Sequence, residues 1–370
     1  MGRNRQAKAG HNRGIPVRNT ATIAIACVAF TMTAHGQSSS PGSKGITAIP
    51  GIRVGHFTLP GGMTGCSVVL ADGDGAVGGV AQRGGAPGTR ETDLLDPLNL
   101  VERVNAIVLS GGSAFGLDAA QGVVRYLEDK NIGFKTNAGV VPIVPSAILF
   151  DLGFGGNKTR PTADCGYKAA SAATSGAVAE GNVGAGAGAT VGKIGGGRMP
   201  MKAGIGSTAI VLPSGLIVGV IVAVNAVGDI IDPMTGNVVA GARNPDGKLA
   251  DARKVIRSGA QAAPPRPGEN TTIGVVATNA RLSKTQVSRM ASMADDGLAR
   301  ALYPSHTLSD GDTVFALATG GWNGNADVSI VGALAAEAMS EAIVRAAVMA
   351  KSSGGLPAAA DIGTVPARFK

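Results

Sequence analysis

From about residue 46 to residue 230, runs of β-branched and apolar residues alternate with glycine-rich turns, with two helical stretches among them. Short apolar runs bounded by turn residues are typical of buried strands, and apolar residues at helical spacing are typical of helices. The length of 370 residues allows two domains or one large αβ unit. The clearest elements predicted here are a buried strand at residues 105–109, a helix at 113–127, and a hairpin of residues 208–212 and 216–224 joined by Pro213-Ser214-Gly215.

The pattern changes at residues 262–268 (AAPPRPG), where three prolines in seven residues exclude a central strand and predict a surface loop. Strands and helices alternate again after this loop. Ser283 and Gln286 have the spacing of a helix capping box. The elements predicted here are a strand at 271–277, a helix that starts after Ser283 and buries Val287, Met290, Ala294 and Leu298, a strand at 313–318, and a helix at 334–348.

Composition narrows the class of protein. Hydrophobic residues make up 44% of the chain, which excludes wholesale disorder, and 57 glycines indicate close backbone packing and many turns. Trp, Tyr and Phe number 1, 3 and 8, which argues against a binding face of stacked aromatic rings.

Residues 1–36 have the order of a secretory signal, with five basic residues and no acid before an apolar run at 20–33, and small residues after it. The apolar run is too short to span a bilayer stably, and a disordered basic tail is the alternative. Without this segment, 28 basic residues stand against 25 acidic ones, so the formal charge of +8 gives no argument for nucleic-acid binding. We therefore expect a periplasmic or secreted protein with a linker at residues 37–45, not an integral membrane protein.

Two cysteines, Cys66 and Cys165, follow the signal. Export permits a disulfide between them, but two cysteines do not establish one, and two buried thiols are the alternative. No CxxC or paired Cys/His spacing occurs, so we expect neither a metal site nor a cofactor.

Few of the usual catalytic groups are present. Only His56 and His306 follow the signal, and both the Gly-x-Ser-x-Gly elbow and the HExxH motif are absent from the sequence. Residues 184–193 (GAGAGATVGK) resemble a phosphate loop, but Ala187 and Ile194 stand where that motif requires Gly and Ser or Thr. A close-packed turn is one interpretation of this segment, and an anion-binding module is the other.

Asn270-Thr271-Thr272 follows the proline-rich loop and opens a predicted strand. If the bond before Thr271 is cut, one residue carries both a hydroxyl nucleophile and a free α-amine. An α-amine with a pKa near ~7.7–8.0 can accept the hydroxyl proton at neutral pH without a histidine. This hypothesis suits a chain with so few histidines, although the tripeptide alone is weak support for it.

Four segments carry a family resemblance: residues 49–56 (IPGIRVGH), 112–117 (GSAFGL), 144–151 (VPSAILFD) and 306–313 (HTLSDGDT). Together they resemble the DmpA-like L-aminopeptidase/D-esterase family of N-terminal nucleophile hydrolases over nearly all of residues 46–350. The resemblance implies an α/β fold, a four-layer α/β/β/α sandwich, made as a precursor and cut into residues 46–270 and 271–370 of one catalytic domain. It also implies a homo-oligomer of the processed heterodimers.

The site residues follow from the same resemblance. A threonine after an asparagine is similar to the branch that includes the nylon-oligomer hydrolase NylC, and it implies a cut between Asn270 and Thr271. A family tyrosine falls at Phe115, which we assign to substrate binding. The catalytic residues implied by position are Thr271, Lys193, Asn225, Asp310 and Asp312.

The chemistry of these residue types is coherent. Asn225 can donate an N–H to an oxyanion, and Lys193 can hold the hydroxyl or shift nearby pKa values. We expect Asp310 and Asp312 to anchor Lys193 and a substrate ammonium.

Each position also has a structural interpretation. Asn225 is otherwise a turn residue, Lys193 a surface charge, and Asp310-Gly311-Asp312 a tight turn that opens a strand. We interpret His306 as structural and His56 as a turn or packing residue.

The leading expectation is a self-processing amide hydrolase that acts on peptides, amides or amino-acid oligomers, including 6-aminohexanoate oligomers. A non-catalytic binding or scaffold protein with the same fold is the alternative.

Overall fold

A computed structural model describes residues 1–2, 44–154, 158–259 and 269–370. Most of the predicted signal and linker, and the whole proline-rich loop at residues 262–268, lie outside the described residues. The strands of the described part are β1 (Ile52–Thr58), β2 (Gly65–Ala71), β3 (Ala76–Gln82), β4 (Thr89–Arg90), β5 (Arg103–Val104), β6 (Ala106–Ser110), β7 (Phe134–Thr136), β8 (Gly139–Val141), β9 (Ser146–Ile148), β10 (Thr190–Val191), β11 (Met201–Lys202), β12 (Ile205–Val211), β13 (Ile217–Asn225), β14 (Asp229–Ile231), β15 (Val238–Ala240), β16 (Thr271–Thr278), β17 (Leu302–Tyr303) and β18 (Thr313–Ala318).

The α-helices of the described part are α1 (Ala119–Glu128), α2 (Ala163–Ser171), α3 (Ala252–Arg257), α4 (Lys284–Ala301) and α5 (Val328–Val348). Short 3-10 turns join several elements, among them Gly184–Gly186 and Ser113–Asp118. None of the described helices has the length and hydropathy that crossing a membrane requires.

Two large sheets form the centre of the fold. The first sheet has the order β1-β2-β6-β9-β4, and the second has the order β12-β13-β16-β18-β3-β5. Most neighbours are antiparallel, but β16 and β18 run parallel, as do β6 and β9. A parallel pair needs a crossover connection, and α4 lies in the one between β16 and β18.

Three hydrophobic cores separate four layers. One core lies between α1, α2 and the first sheet, one between the two sheets, and one between the second sheet and α4 with α5. Side chains alternate between cores along each strand: Val68 and Leu70 face the helices, whereas Val69 faces the other sheet. The expected α/β/β/α sandwich is therefore the observed architecture.

Most predicted elements are confirmed within a few residues of their ends. The hairpin forms as β12 and β13, and Gly215 in its turn has a φ of +83°, a conformation that favours glycine. The capping box is present, with Gln286 N donating to Ser283 Oγ at 3.3 Å. The last helix starts earlier than residue 334, because Asp327 accepts a hydrogen bond from Ser329 N at 2.8 Å and caps it at Val328.

Cys66 on β2 and Cys165 on α2 form a disulfide, with 6.3 Å between their Cα atoms. The bond joins the first sheet to the helices that cover it. Of the two alternatives left open by the sequence, the structure has the bridge.

Candidate active site

Thr271 is the first residue of β16, in the interior of the second sheet. The antiparallel pairing of β13 and β16 places Asn225 opposite Thr271. An isolated parallel bridge joins Asn270 to Asp310, immediately before β18 begins. The register of the sheet thus brings three predicted positions together from distant parts of the chain.

The carbonyl oxygen of Asn270 accepts two hydrogen bonds. Gly311 N donates to it at 2.8 Å, and the Thr271 hydroxyl, which is 2% exposed as a residue, donates to the same oxygen. A Cβ atom on Gly311 would lie 2.6 Å from Ala86 O and 3.0 Å from Thr271 Oγ1, so a side chain at this position would crowd the hydroxyl. A backbone donor on a carbonyl beside a nucleophile is the arrangement of an oxyanion hole.

Lys193 lies against Asn225 and the segment that precedes Thr271. Its Nζ donates to Asn225 O and Asn225 Oδ1, both at 2.9 Å, and to Glu269 O at 3.5 Å. Burial of the ammonium lowers the pKa of Lys193 to about 7, against the opposing charges of Asp310, Glu269 and Asp151. The residue is partly exposed, but its ammonium is enclosed, so the interpretation as a free surface charge is wrong.

Asn225 is the last residue of β13 and is buried. Its Nδ2 donates to Phe150 O at 2.8 Å, while its Oδ1 accepts from Thr190 N at 3.0 Å and from Lys193 Nζ. These contacts fix the plane of the amide. Asn225 is therefore a strand residue in a polar cluster and not a turn residue.

The carboxylates of Asp310 and Asp312 bind donors of the protein itself. Asp310 accepts from Thr307 Oγ1 at 2.6 Å, from Thr307 N at 3.1 Å and from Val227 N at 3.4 Å. Asp312 accepts from Thr272 N at 2.8 Å. The two aspartates hold their own loop and the residue after Thr271, while Asp310 also acts on Lys193 through its charge. Their anchoring of a substrate ammonium stays a prediction.

His306 lies between Asp312 and Asp295. The sequence predicted a structural role for this histidine but not these two partners. His306 N donates to Asp312 Oδ2 at 3.0 Å, and the ring lies between that oxygen, 3.0 Å from Nδ1, and Asp295 Oδ2, 3.3 Å from Nε2. Burial lowers the pKa of His306, but the hydrogen bond and charge of Asp312 and the charge of Asp295 outweigh it and raise the pKa overall. Burial also raises the pKa of Asp295 to about 6.

A cavity of about 260 Å³ opens beside this cluster, and Lys193, Glu269 and Asn270 form part of its wall. Phe150 also lines it. Phe115 is not among the lining residues: it is 63% exposed, and the Arg160 guanidinium lies 5.4 Å from the centre of its ring. Two aromatic residues thus line the cavity: Phe154 and Phe150, the second of which lies in the VPSAILFD segment that carried part of the resemblance.

The glycine-rich segment 184–193 encloses a cation. Lys202 Nζ donates to Gly186 O at 3.1 Å, to Ala189 O at 2.8 Å and to Ala203 O at 2.5 Å. A phosphate loop instead directs backbone N–H groups at an anion. The geometry of the described residues therefore favours the close-packed turn over the anion-binding module.

The family model described as Peptidase family S58 matches residues 44–359 of the chain. An uncharacterized aminopeptidase of Mycobacterium leprae is 44% identical over 341 residues, which cover 84% of this chain and 92% of the relative. A 6-aminohexanoate-oligomer endohydrolase of Kocuria sp. is 31% identical over 314 residues, 80% of this chain and 84% of that protein.

Among solved structures, the L-aminopeptidase D-Ala-esterase/amidase of Ochrobactrum anthropi superposes with a TM-score of 0.62 at 20% identity, covering 87% of this chain and 90% of that one. That structure is described as a variant of the Ntn hydrolase fold. At this identity the likeness concerns the fold alone.

Proposed function

Because this chain belongs to peptidase family S58, we propose that it cuts itself between Asn270 and Thr271 and then hydrolyses amide bonds with Thr271 as the nucleophile. The resemblance to the DmpA-like family is confirmed, and its relatives include nylon-oligomer hydrolases. The chain is a hydrolase of peptide or amide bonds, which sets aside the non-catalytic alternative.

One observation carries the proposed self-cleavage: the Thr271 hydroxyl and Gly311 N–H meet at the carbonyl oxygen of Asn270. In the first step Thr271 Oγ1 adds to the Asn270 carbonyl carbon, and Gly311 N–H stabilises the oxyanion. The C–N bond then breaks, and the proton from the hydroxyl passes to the nitrogen of Thr271, which leaves an ester. Water hydrolyses the ester to release the Asn270 carboxylate and a Thr271 with a free α-amine.

Lys193 and Asn225 fit the proton and charge movements of these steps. With a pKa lowered to about 7, Lys193 can hold or release a proton near neutral pH. Asn225 donates one N–H of Nδ2 to Phe150 O, and we assign the second N–H of the same nitrogen to the oxyanion formed during turnover. Asp312 keeps Thr272 N, and with it the new chain end, in place.

Turnover uses the same nucleophile with its own α-amine as the base. Thr271 Oγ1 attacks the substrate carbonyl, the amine leaves with a proton, and water hydrolyses the acyl-enzyme. Peptides, amides and amino-acid oligomers all present the required bond. The relative named for 6-aminohexanoate oligomers supports oligomers of that type as substrates.

Export and assembly are part of the proposal. The Cys66–Cys165 disulfide supports a periplasmic or secreted location, because such bonds persist in oxidising compartments. We also propose that the processed heterodimers form a homo-oligomer, which native mass spectrometry would measure directly.

Intact-mass spectrometry and Edman sequencing of the purified protein test the cut. We expect two chains, the second of which begins TTIGVV at Thr271. Thr271→Ala removes the nucleophile and should abolish both scission and turnover, whereas Thr272→Ala keeps the backbone N–H that Asp312 binds and should still be cut. A Thr271→Ala protein that is still cut at this bond would overturn the proposal.

A further inference from the structure

The ring of His306 has a buried carboxylate on each side. Nδ1 lies 3.0 Å from Asp312 Oδ2, and Nε2 lies 3.3 Å from Asp295 Oδ2. The side chains of both aspartates are buried, and that of His306 is 17% exposed. The three groups therefore interact where water screens their charges only weakly.

The two contacts favour the charged form of the imidazole. A neutral imidazole has one N–H and one nitrogen lone pair, so one of the two carboxylates would face a lone pair. The imidazolium has an N–H on each nitrogen and places a positive charge between the two anions. Burial of the ring lowers the pKa of His306, but the contact with Asp312 and the charge of Asp295 outweigh it and raise the pKa above its ordinary value.

One positive charge opposes protonation of the ring. Arg83, which follows β3, has its Nε 3.4 Å from Asp295 Oδ2, and its charge lowers the pKa of His306. Its side chain is about half exposed and also binds Asp296 on the exposed surface of α4 at 2.9 Å, so water and this second carboxylate weaken the effect. Burial raises the pKa of Asp295 to about 6, and Asp295 is therefore an anion at pH 7 and above.

Asp312 connects the ring to the residue after the proposed nucleophile. Its Oδ1 accepts a hydrogen bond from Thr272 N at 2.8 Å, and its Oδ2 accepts one from His306 N at 3.0 Å. A hydrogen bond to a charged acceptor is stronger than one to a neutral acceptor, so Asp312 holds Thr272 N best as an anion. Burial and the charge of Asp312 also raise the pKa of Asp310. An imidazolium beside Asp312 stabilises this anion and offsets its repulsion of Asp310.

We propose that His306 is a positioning residue that acts as an imidazolium. Its positive charge fixes the Asp312 carboxylate, and this carboxylate holds the chain beside the nucleophile through Thr272 N. Asp295 keeps the ring charged. The assignment rests on the proposed function, because it concerns the chain beside Thr271 as nucleophile. Self-cleavage should therefore slow as the pH rises through the pKa of His306 and the ring becomes neutral.

Histidine NMR measures the charge of the ring in a chain that is not cut. In the full chain with Thr271→Ala and ¹³C-labelled histidine, His306 should titrate with a pKa above 6.5. Its signal is the one absent from His306→Asn, a substitution that suits the positive φ of +54° at this position. Asp295→Asn should lower the pKa of His306 by about 1 or more. Asp296→Asn, which removes an exposed carboxylate one position along α4, is the matched control and should change it by less than about 0.3.

The rate of self-cleavage, measured by intact mass over time, shows whether this charge matters for the reaction. Relative to the unsubstituted chain, Asp295→Asn should be cut at about 0.1–0.3 of the rate at pH 8 and at more than about 0.5 of the rate at pH 6, because acid restores the charge of the ring. His306→Asn should be cut about 10-fold more slowly at both pH values, since it has no ring to protonate. Asp296→Asn should be cut at the normal rate at both.

A pKa of His306 at or below 6.5 would overturn the proposal, and so would a normal rate of cutting in His306→Asn. An equal loss in Asp295→Asn at pH 6 and pH 8 would make Asp295 a structural residue and would also contradict it. If Asp295→Asn does not fold, the titration of His306 in the Thr271→Ala chain still decides. Failure of the proposed function is distinct, because it leaves the unsubstituted chain uncut at Asn270.

Discussion

Lys193 and Lys202 lie nine positions apart, and each has a buried ammonium. Burial lowers the pKa of both to about 7, and the ammonium of each donates to three oxygen atoms. Their acceptors differ. Lys202 is 0% exposed, and its hydrogen bonds to the described residues all go to backbone carbonyls near it. Lys193 instead donates to the Asn225 side chain and to the carbonyl of Glu269, which precedes the residue at the proposed cut.

The difference shows that burial and a shifted pKa do not by themselves identify a reactive group. Lys202 donates hydrogen bonds to backbone carbonyls that lie far from the proposed cut in the sequence. Its role is therefore to stabilise the fold of the glycine-rich segment. Lys193 contacts the carbonyl of Glu269, which would belong to a new chain end after the proposed cut, so the surroundings of Lys193 would change with that cut. The identity of the acceptors separates the structural lysine from the one in the proposed mechanism.

Replacing each lysine by methionine should separate the two roles most sharply in the rate of self-cleavage. Lys193→Met removes the ammonium beside Asn225, and we expect scission to slow by about 10²–10³-fold. Lys202→Met should slow it less than about threefold. Both rates are measured by intact mass over time after refolding or cell-free synthesis. Equal losses in the two variants would remove the distinction between the lysines.

The free energy of unfolding should show the opposite order, with the larger loss in Lys202→Met. Lys202→Met leaves three buried carbonyl groups without their donor, and we expect it to lower the free energy of unfolding by about 2 kcal/mol. Lys193 lines the cavity of about 260 Å³, so water in the cavity can reach the acceptors that the ammonium leaves, and Lys193→Met should cost less than about 1 kcal/mol. Urea unfolding in the uncut Thr271→Ala background measures both values on a single chain. A larger loss for Lys193→Met would reverse the interpretation.

Sequence patterns predicted the strands, the capped helix and, with the family resemblance, the positions of Lys193, Asn225 and Thr271. The patterns could do so because apolar runs and capping spacings are local. The contact of Gly311 N with Asn270 O was not predictable, because it depends on β18 lying beside β16 in parallel. The place of Lys202 inside the glycine-rich segment likewise depends on packing between distant strands.

The loop on the other side of the Asn270 carbonyl offers a second test of the proposed self-cleavage. Gly311→Ala would place a Cβ atom 2.6 Å from Ala86 O and 3.0 Å from the Thr271 hydroxyl, so the loop must shift and its N–H must leave the oxyanion position. We expect self-cleavage to slow by about 10-fold or more, with Lys193 unchanged. Gly321→Ala, where a Cβ atom meets no neighbour within 4 Å, is the control. Normal cutting by Gly311→Ala would exclude its N–H from the oxyanion hole.

Lys202 should also make the free energy of unfolding depend on pH. The pKa of Lys202 is about 7 in the folded chain, and an ordinary lysine, as in the unfolded chain, has a pKa of 10.5. Between these two pH values the unfolded chain therefore binds more protons than the folded chain. Stability should therefore rise from pH 7 to pH 9, by at most about 1.4 kcal/mol per pH unit for this one group, and fall again as the pH returns to 7. Urea unfolding at both pH values, in the Thr271→Ala background with and without Lys202→Met, isolates this contribution, since all other groups are common to the two chains. The rise should be smaller in the methionine variant. An equal rise in both chains would mean that the three carbonyls keep Lys202 protonated over this pH range. Lys202 would then share burial with Lys193 but not a lowered pKa.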